Sequence, residues 1–457
     1  MAARDTSKTR FNKALTYRIA FVATLGGFLF GYDTAIINGA ILFIKEQFRL
    51  TEWQTELAAG SLLMGCVLGA SIAGALGDRW GRKKVLLLSA ALFTLSSLAT
   101  ALPRSLEELC VYRAFAGIAI GIASMLSPLY IAEISPPSIR GRLVSMNQFA
   151  IISGILISYL VGWSLAAAGP DAWRWMFASA VLPSTLFLAA LFTVPESPRW
   201  LTKEGRTKEA LQLLAQLGDP SEARLRLEEI QSVLAEESGS WKELFHPGIR
   251  ISLGIGIVLA ILQQVTGINT ILYYGSILFT EQVKVENATA ALWANVLIGW
   301  INLAFTVVAV VVMDRVGRKT LLVLASGGMG LCLTALGFLF HLNAAGGAWI
   351  LALILGYVAF FAVGMGPGVW VLLAELFPTK IRARAMSVAT ICLWAACLLI
   401  SITFLSLVQA IGAGGAFWLY AVMCWAAVWF IGRAVPETKG KTLEEIESYW
   451  LRRGSGN

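Results

Sequence analysis

Two ionisable residues stand where water is scarce. Asp33 falls within an apolar run from about 17 to 37, and Arg113 within another from about 109 to 131. An unpaired charge in the middle of a bilayer costs at least about 2.5 kcal/mol, so residues of this kind mark proton and ion pathways. Each is the other's obvious partner. Beside Arg113 the Asp33 carboxylate stays ionised; parted from that cation in a dry setting, it takes up a proton. The chemistry on offer is reversible proton binding tied to a change of shape. A purely structural buried ion pair is the plainer reading.

A second cluster is neutral. Gln263, Gln264, Asn269, Tyr273 and Tyr274 occupy an otherwise apolar stretch. Amides both donate and accept hydrogen bonds, as hydroxyls do, and aromatic faces stack on apolar surfaces. On a regular helix Gln264 and Asn269 point about 140° apart, at about 100° per residue. For both to face one cavity, the helix must break near Thr266 and Gly267, and broken membrane helices are where substrates are held. Taken singly, an amide in a membrane helix also serves as a link between helices.

These groups need apolar elements to position them, and the chain supplies them. Of 457 residues 57% are apolar and 14% charged, against about 45–50% and about 25% in soluble domains. A soluble globular protein is excluded, and 16 Trp and 23 Phe exclude disorder. Apolar segments run at about 17–37, 56–76, 85–103, 109–131, 143–166 and 174–194. After a polar stretch they resume at about 250–279, 290–312, 320–341, 348–373, 384–408 and 416–435. The expectation is an all-α membrane protein with twelve transmembrane helices in two six-helix halves, 1–194 and 249–436, joined by a linker at 195–248 and followed by a tail at 437–457. Within the linker, Ala210, Leu211, Leu214 and Leu217, then Leu225, Leu227, Ile230 and Val233, predict short amphipathic helices. The first apolar run lacks a small-residue cleavage site and reads as a retained helix, not a signal peptide.

The net charge of +8 has a topological origin. Of 36 Lys and Arg, 30 fall on the even-numbered side of the spans, while Lys45, Arg49, Arg104, Arg174 and Lys284 are on the other. That asymmetry places both termini and the linker in the cytoplasm, and nucleic acid need not be invoked. The six Cys have neither disulfide nor metal spacing and read as small hydrophobes. His246 and His341 lack ligand spacing, and no nucleophile–base set is apparent, so neither metal, cofactor nor enzymatic activity is expected.

The chain also repeats itself. GALGDRWGRKK at 74–84 recurs as MDRVGRK at 313–319, and YIAEISPPSIRGR at 130–142 as LLAELFPTKIRAR at 372–384. Each element follows the second or the fourth span of its half, as in transporters that hold substrate between two related halves. Asp78 and Arg82, and Glu133 and Arg140 with their counterparts Glu375 and Arg382, are placed to cross-link the halves or merely to anchor topology. The GxxxG patterns at 65–69 and 117–121 read as close-packing signals.

With GFLFGYDTAIINGA at 27–40, PESPRWL at 195–201, QQVTGINTILYY at 263–274 and PETKG at 436–440 in order, the chain resembles the sugar porters of the major facilitator superfamily. The likeness is to bacterial monosaccharide:proton symporters in particular. It implies a monomer in the cell membrane that imports a hexose or pentose with a proton by alternating access. It assigns proton coupling to Asp33 and Arg113; passive facilitators, the alternative reading, usually carry a neutral residue at the aspartate position. It assigns sugar contacts to Phe30, Gln148, Gln263, Gln264, Asn269, Asn302 and Trp370, and closure of the outer side to Tyr274. Asp78, Arg82, Glu133, Arg140, Glu196, Arg199, Asp314, Arg315, Arg318, Glu375 and Arg382 are implied to form a cytoplasmic latch that stabilises the outward-facing state. Two positions depart from the pattern. Leu393 stands where many members have an amide, and Ala362 where animal facilitators have an acid. The run GMGPGVW at 364–370 suggests a flexible gate.

Overall fold

The computed structural model describes residues 11–136, 139–236, 244–283, 287–342, 347–377, 381–439, 445–446 and 449–450; the side chains at 236, 247, 248, 282, 314 and 383 lie outside the description. Six spans come first: α1 (Lys13–Gln47), α2 (Glu52–Trp80), α3 (Arg82–Thr100), α4 (Leu106–Ile134), α5 (Arg140–Leu165), and α6 (Ala172–Ser179) continued by α7 (Val181–Phe192). Three short helices follow, α8 (Pro198–Lys203), α9 (Thr207–Leu217) and α10 (Pro220–Glu236). In the second half, α11 (Pro247–Val265) and α12 (Ile268–Ile277) share one span, followed by α13 (Ala288–Val316) and α14 (Arg318–His341). Next come α15 (Gly347–Val363) with α16 (Met365–Leu376), then α17 (Arg382–Ser401) and α18 (Phe404–Ala434). Among the described residues, twelve helical stretches are long and apolar enough to cross a membrane, and the chain is a multi-pass membrane protein of the all-α class.

Local chemistry sets the helix starts. Asn12 caps α1 through the Leu15 N–H at 3.1 Å, and Thr51 and Gln54 bond reciprocally at 3.3 and 3.0 Å to form a capping box on α2. Ser105 and Asn287 cap α4 and α13 singly, by accepting the N–H groups of Glu108 and Ala290. The two GxxxG patterns turn out to be partners. A Cβ at Gly65 would lie 2.0 Å from the Ala114 carbonyl oxygen, and one at Gly117 would lie 1.9 Å from that of Leu62. The backbones of α2 and α4 therefore touch where only hydrogen fits.

Gly117→Val should force these helices apart. We expect the thermal midpoint in detergent to fall by an amount corresponding to at least about 1–3 kcal/mol, while Gly141→Ala, with nothing within 4 Å of its added carbon, leaves it in place. Equal midpoints for the two variants would contradict the packing.

The linker helices differ from expectation in one residue. Ala210, Leu214 and Leu217 are buried on α9, and Ala223 and Leu227 on α10, but Leu225 is 66% exposed. The apolar stripe of α10 runs through Ala223, Leu227 and Ile230 at helical spacing, which turns Leu225 outward.

Candidate functional site

The seventh span breaks where its amides require it to. α11 ends at Val265, Gly267 adopts φ +92°, and α12 begins at Ile268. A side chain at Gly267 would be strained in the left-handed region and would meet the Tyr420 ring at 2.8 Å. The Tyr357 hydroxyl donates to the Thr266 carbonyl at 2.9 Å, satisfying backbone that the break leaves free. The tenth span breaks as well, at Gly364 between α15 and α16.

The two breaks serve each other. Gln263 Nε2 donates to the carbonyls of Met365 at 2.8 Å and Gly366 at 3.0 Å. Gln264 Nε2 donates to Gln263 Oε1 at 3.2 Å, and Asn269 Nδ2 to Gln264 Oε1. The same Asn269 amide reaches Cys397 Sγ at 3.1 Å, and the Tyr273 hydroxyl lies 3.8 Å from that sulfur. Cys397, read from the sequence as a small hydrophobe, is thus a member of the polar cluster. Trp394, one turn before it on α17, has its ring 5.2 Å from that of Phe30 on α1, across the seam between the halves.

Asn302 on α13 is 1% exposed, and neither of its side-chain polar atoms has a protein partner. Three residues earlier on the same face, Gly299 abuts Leu156 and Tyr159 of α5, so Asn302 faces the seam as well. Gln148 on α5 and Trp370 on α16 are half-buried. The Tyr274 hydroxyl donates to the Ser401 carbonyl at 2.7 Å, and its ring stacks on Phe404 at 5.7 Å.

Asp33 is 3% exposed and Arg113 1%. They lie within reach of each other's charge, yet they are not among the ion pairs within 4.0 Å. Instead Arg113 Nε donates to the Ala58 carbonyl at 3.2 Å and the guanidinium sits 5.2 Å from the centre of the Phe177 ring. Asp33 Oδ2 and both Arg113 Nη atoms are without partners. The arrangement is the separated one.

On the face of the basic loops, each described ion pair closes within one half or onto the linker. Arg82 bonds Glu133 at 3.0 Å and Asp78 at 3.1 Å, Lys203 bonds Asp78 at 3.1 Å, and Arg318 bonds Glu375 at 3.3 Å. Glu196 caps α3 by accepting the Arg82 and Lys83 N–H groups, and Glu437 caps α14 by accepting those of Arg318 and Lys319. Ser197 donates to Glu133, and Thr438 to Glu375. Sequence reasoning overlooked Ser197, Glu437 and Thr438, although Pro195-Glu196-Ser197 and Pro436-Glu437-Thr438 already repeat one another. The cross-links between halves anticipated for this set are not what these described pairs make. Arg140 lies near Arg226 and Glu229 of α10, Arg382 Nε donates to the Phe377 carbonyl, and the Arg315 carbonyl accepts from Lys439. Arg199 is half-buried on α8; the side chain of Asp314 lies outside the described residues.

Across the opposite face the halves are bonded directly. Asn38 Nδ2 donates to the Leu272 carbonyl at 2.8 Å and to Asn295 Oδ1 at 3.2 Å, and its Oδ1 accepts from the Ser276 N–H. Tyr159 OH donates to the Leu272 carbonyl at 2.9 Å, and Lys45 bonds Glu281 at 2.6 Å.

A polar cluster at two helix breaks, set where two related halves meet and with a buried carboxylate on the facing half, is the arrangement of a transporter. The sequence pattern of the family described as "Sugar (and other) transporter" matches residues 19–450. The chain belongs to this family. As a sugar transporter family member it is 40% identical over 441 residues to the arabinose-proton symporter of Bacillus subtilis, covering 95% of each chain. To the D-xylose-proton symporter of Escherichia coli K12 it is 38% identical over 482 residues, covering 97% of each. A solved structure of the xylose transporter XylE from E. coli, in a partially occluded inward open conformation, superposes with a TM-score of 0.84 at 37% identity, covering 94% of this family member and 100% of that chain.

Proposed function

We propose that the protein is a monosaccharide–proton symporter that imports a hexose or pentose by alternating access. One observation carries this reading: α1 bears both Phe30, whose ring meets Trp394 across the seam, and Asp33, buried one turn further on with an unpartnered oxygen. Sugar contact and proton site share one rigid helix, so movement of α1 that follows sugar closure also changes the distance from Asp33 to Arg113. Gln148, Gln263, Gln264, Asn269, Asn302 and Trp370 supply the hydroxyl and ring contacts, and Tyr274 helps close the outer side. The named relatives carry a pentose and a proton, which supports the same class here.

In this reading the basic face, both termini and α8–α10 are cytoplasmic, and the protein is a monomer in the cell membrane with no cofactor and no nucleic-acid partner. The halves 1–194 and 249–436 rock about the site, joined by 195–248 and trailed by 437–457. Asp78, Arg82, Glu133, Arg140, Glu196, Arg199, Asp314, Arg315, Arg318, Glu375 and Arg382 form the cytoplasmic gate, re-pairing between the halves when that face closes.

The test is uptake of labelled xylose, arabinose, glucose and galactose into proteoliposomes with and without an imposed pH gradient. We expect at least one sugar to accumulate only with the gradient. Equal final levels in both conditions would mark a facilitator, and no flux of any sugar would overturn the assignment.

A further inference from the structure

A further carboxylate lies within the spans, and neither proton coupling nor the sugar site uses it. Glu56, in the second turn of α2, is 0% exposed. Its Oε1 accepts the Ser406 backbone N–H at 2.8 Å and its Oε2 accepts the Ser406 hydroxyl at 2.6 Å. Ser406 belongs to the first turn of α18, whose N-cap residue Thr403 makes no side-chain cap bond. The first N–H groups of a helix have no intrahelical partner and carry partial positive charge. A carboxylate from one half therefore caps a helix of the other. One turn along α2, a Cβ at Gly60 would stand 2.3 Å from Ile402, just before α18, so backbone and charge meet at the same seam.

Glu196 and Glu437 use the same chemistry on α3 and α14, but each on the half whose last span it follows. A bond present in both end states of a rocking cycle shifts nothing between them. A cap that joins the two halves breaks when they part at this face, so its free energy counts toward the closed state. We propose that Glu56 is a positioning residue of the transport cycle, a carboxylate latch that holds the face opposite the basic loops closed by capping α18 across the seam. The inference rests on the alternating-access reading above.

Distance measurements between spectroscopic labels on unnatural residues at positions 53 and 409, both exposed on that face, read the latch directly while leaving the native cysteines in place. In lipid nanodiscs the parent should give a short-distance population, with a longer one enriched when conditions favour opening. Glu56→Ala is expected to move the closed-to-open ratio by about tenfold or more, the loss of bonds to a charged acceptor. Ser406→Ala, which keeps the backbone N–H, should move it the same way by less. Gel filtration and thermal midpoint check that each variant is folded; should Glu56→Ala fail to fold, Ser406→Ala and Glu56→Gln carry the test. Folded variants with the parent's distribution would overturn the latch. A parent locked at one distance with or without sugar and pH gradient would instead overturn alternating access, which separates the two failures.

Discussion

Asp33→Asn is expected to abolish accumulation of sugar against its gradient while exchange of internal for external sugar continues. For one proton per sugar, each pH unit of imposed gradient sustains about tenfold accumulation, and the variant should fall to equal concentrations inside and out. The reason is local. Asparagine has nearly the shape of aspartic acid, so α1 keeps its packing on α5, where Gly31 meets the Ile151 carbonyl. The amide cannot gain or lose a proton, however, so the state in which Asp33 and Arg113 are apart no longer depends on pH. Arg113→Gln is a harsher change, because the guanidinium also holds the Ala58 carbonyl and sits over Phe177. Accumulation by Asp33→Asn at the parent's level would remove Asp33 from the coupling path.

Asn302→Leu should give an unusual pair of results, weaker sugar binding in a protein that is no less stable. A buried amide with neither polar atom partnered carries its full desolvation cost, and replacing it by an apolar group of similar size relieves that cost. If Asn302 both donates to and accepts from a sugar hydroxyl, losing two such bonds raises Kd by about 100-fold. Gln263→Leu provides the contrast. It strips the donor that ties α11 to the Met365 and Gly366 carbonyls at the tenth-span break, so affinity and thermal stability should fall together. Titration calorimetry and thermal scans on both variants check this, and unaltered binding by Asn302→Leu would take that residue out of the site.

The helix break at Gly267 was legible because Gln264 and Asn269 point apart on a regular helix, and the bond now seen between them needs the break. Twelve spans were legible from apolar runs. Pairing was not. Sequence spacing brings Arg82 near Asp78, but only the packed bundle brings Glu133 to it from 51 residues away. Glu56 escaped notice because an acid at the first turns of an apolar run reads as the edge of the membrane, although here it is wholly covered. Cys397 escaped because sulfur in an apolar run gives no sign that an amide will point at it. Leu225 misled because a hydrophobic residue between charges counts toward a stripe until the neighbouring helix fixes which face is inward.

In the proposed cycle, the bonds that bind Asp78, Arg82, Glu133 and Glu196 into one unit would make the first half a lever. α2 has 29 residues and is thus about 44 Å long at about 1.5 Å per residue. A tilt of about ten degrees around its middle sweeps each end through about 4 Å on that length, while atoms near the fulcrum scarcely move. Stiffness at the rim is therefore what gives mechanical advantage to a small closure around the sugar. A half that flexed between α2, α3 and α4 would dissipate the same closure as bending, and the gate would stay where it was.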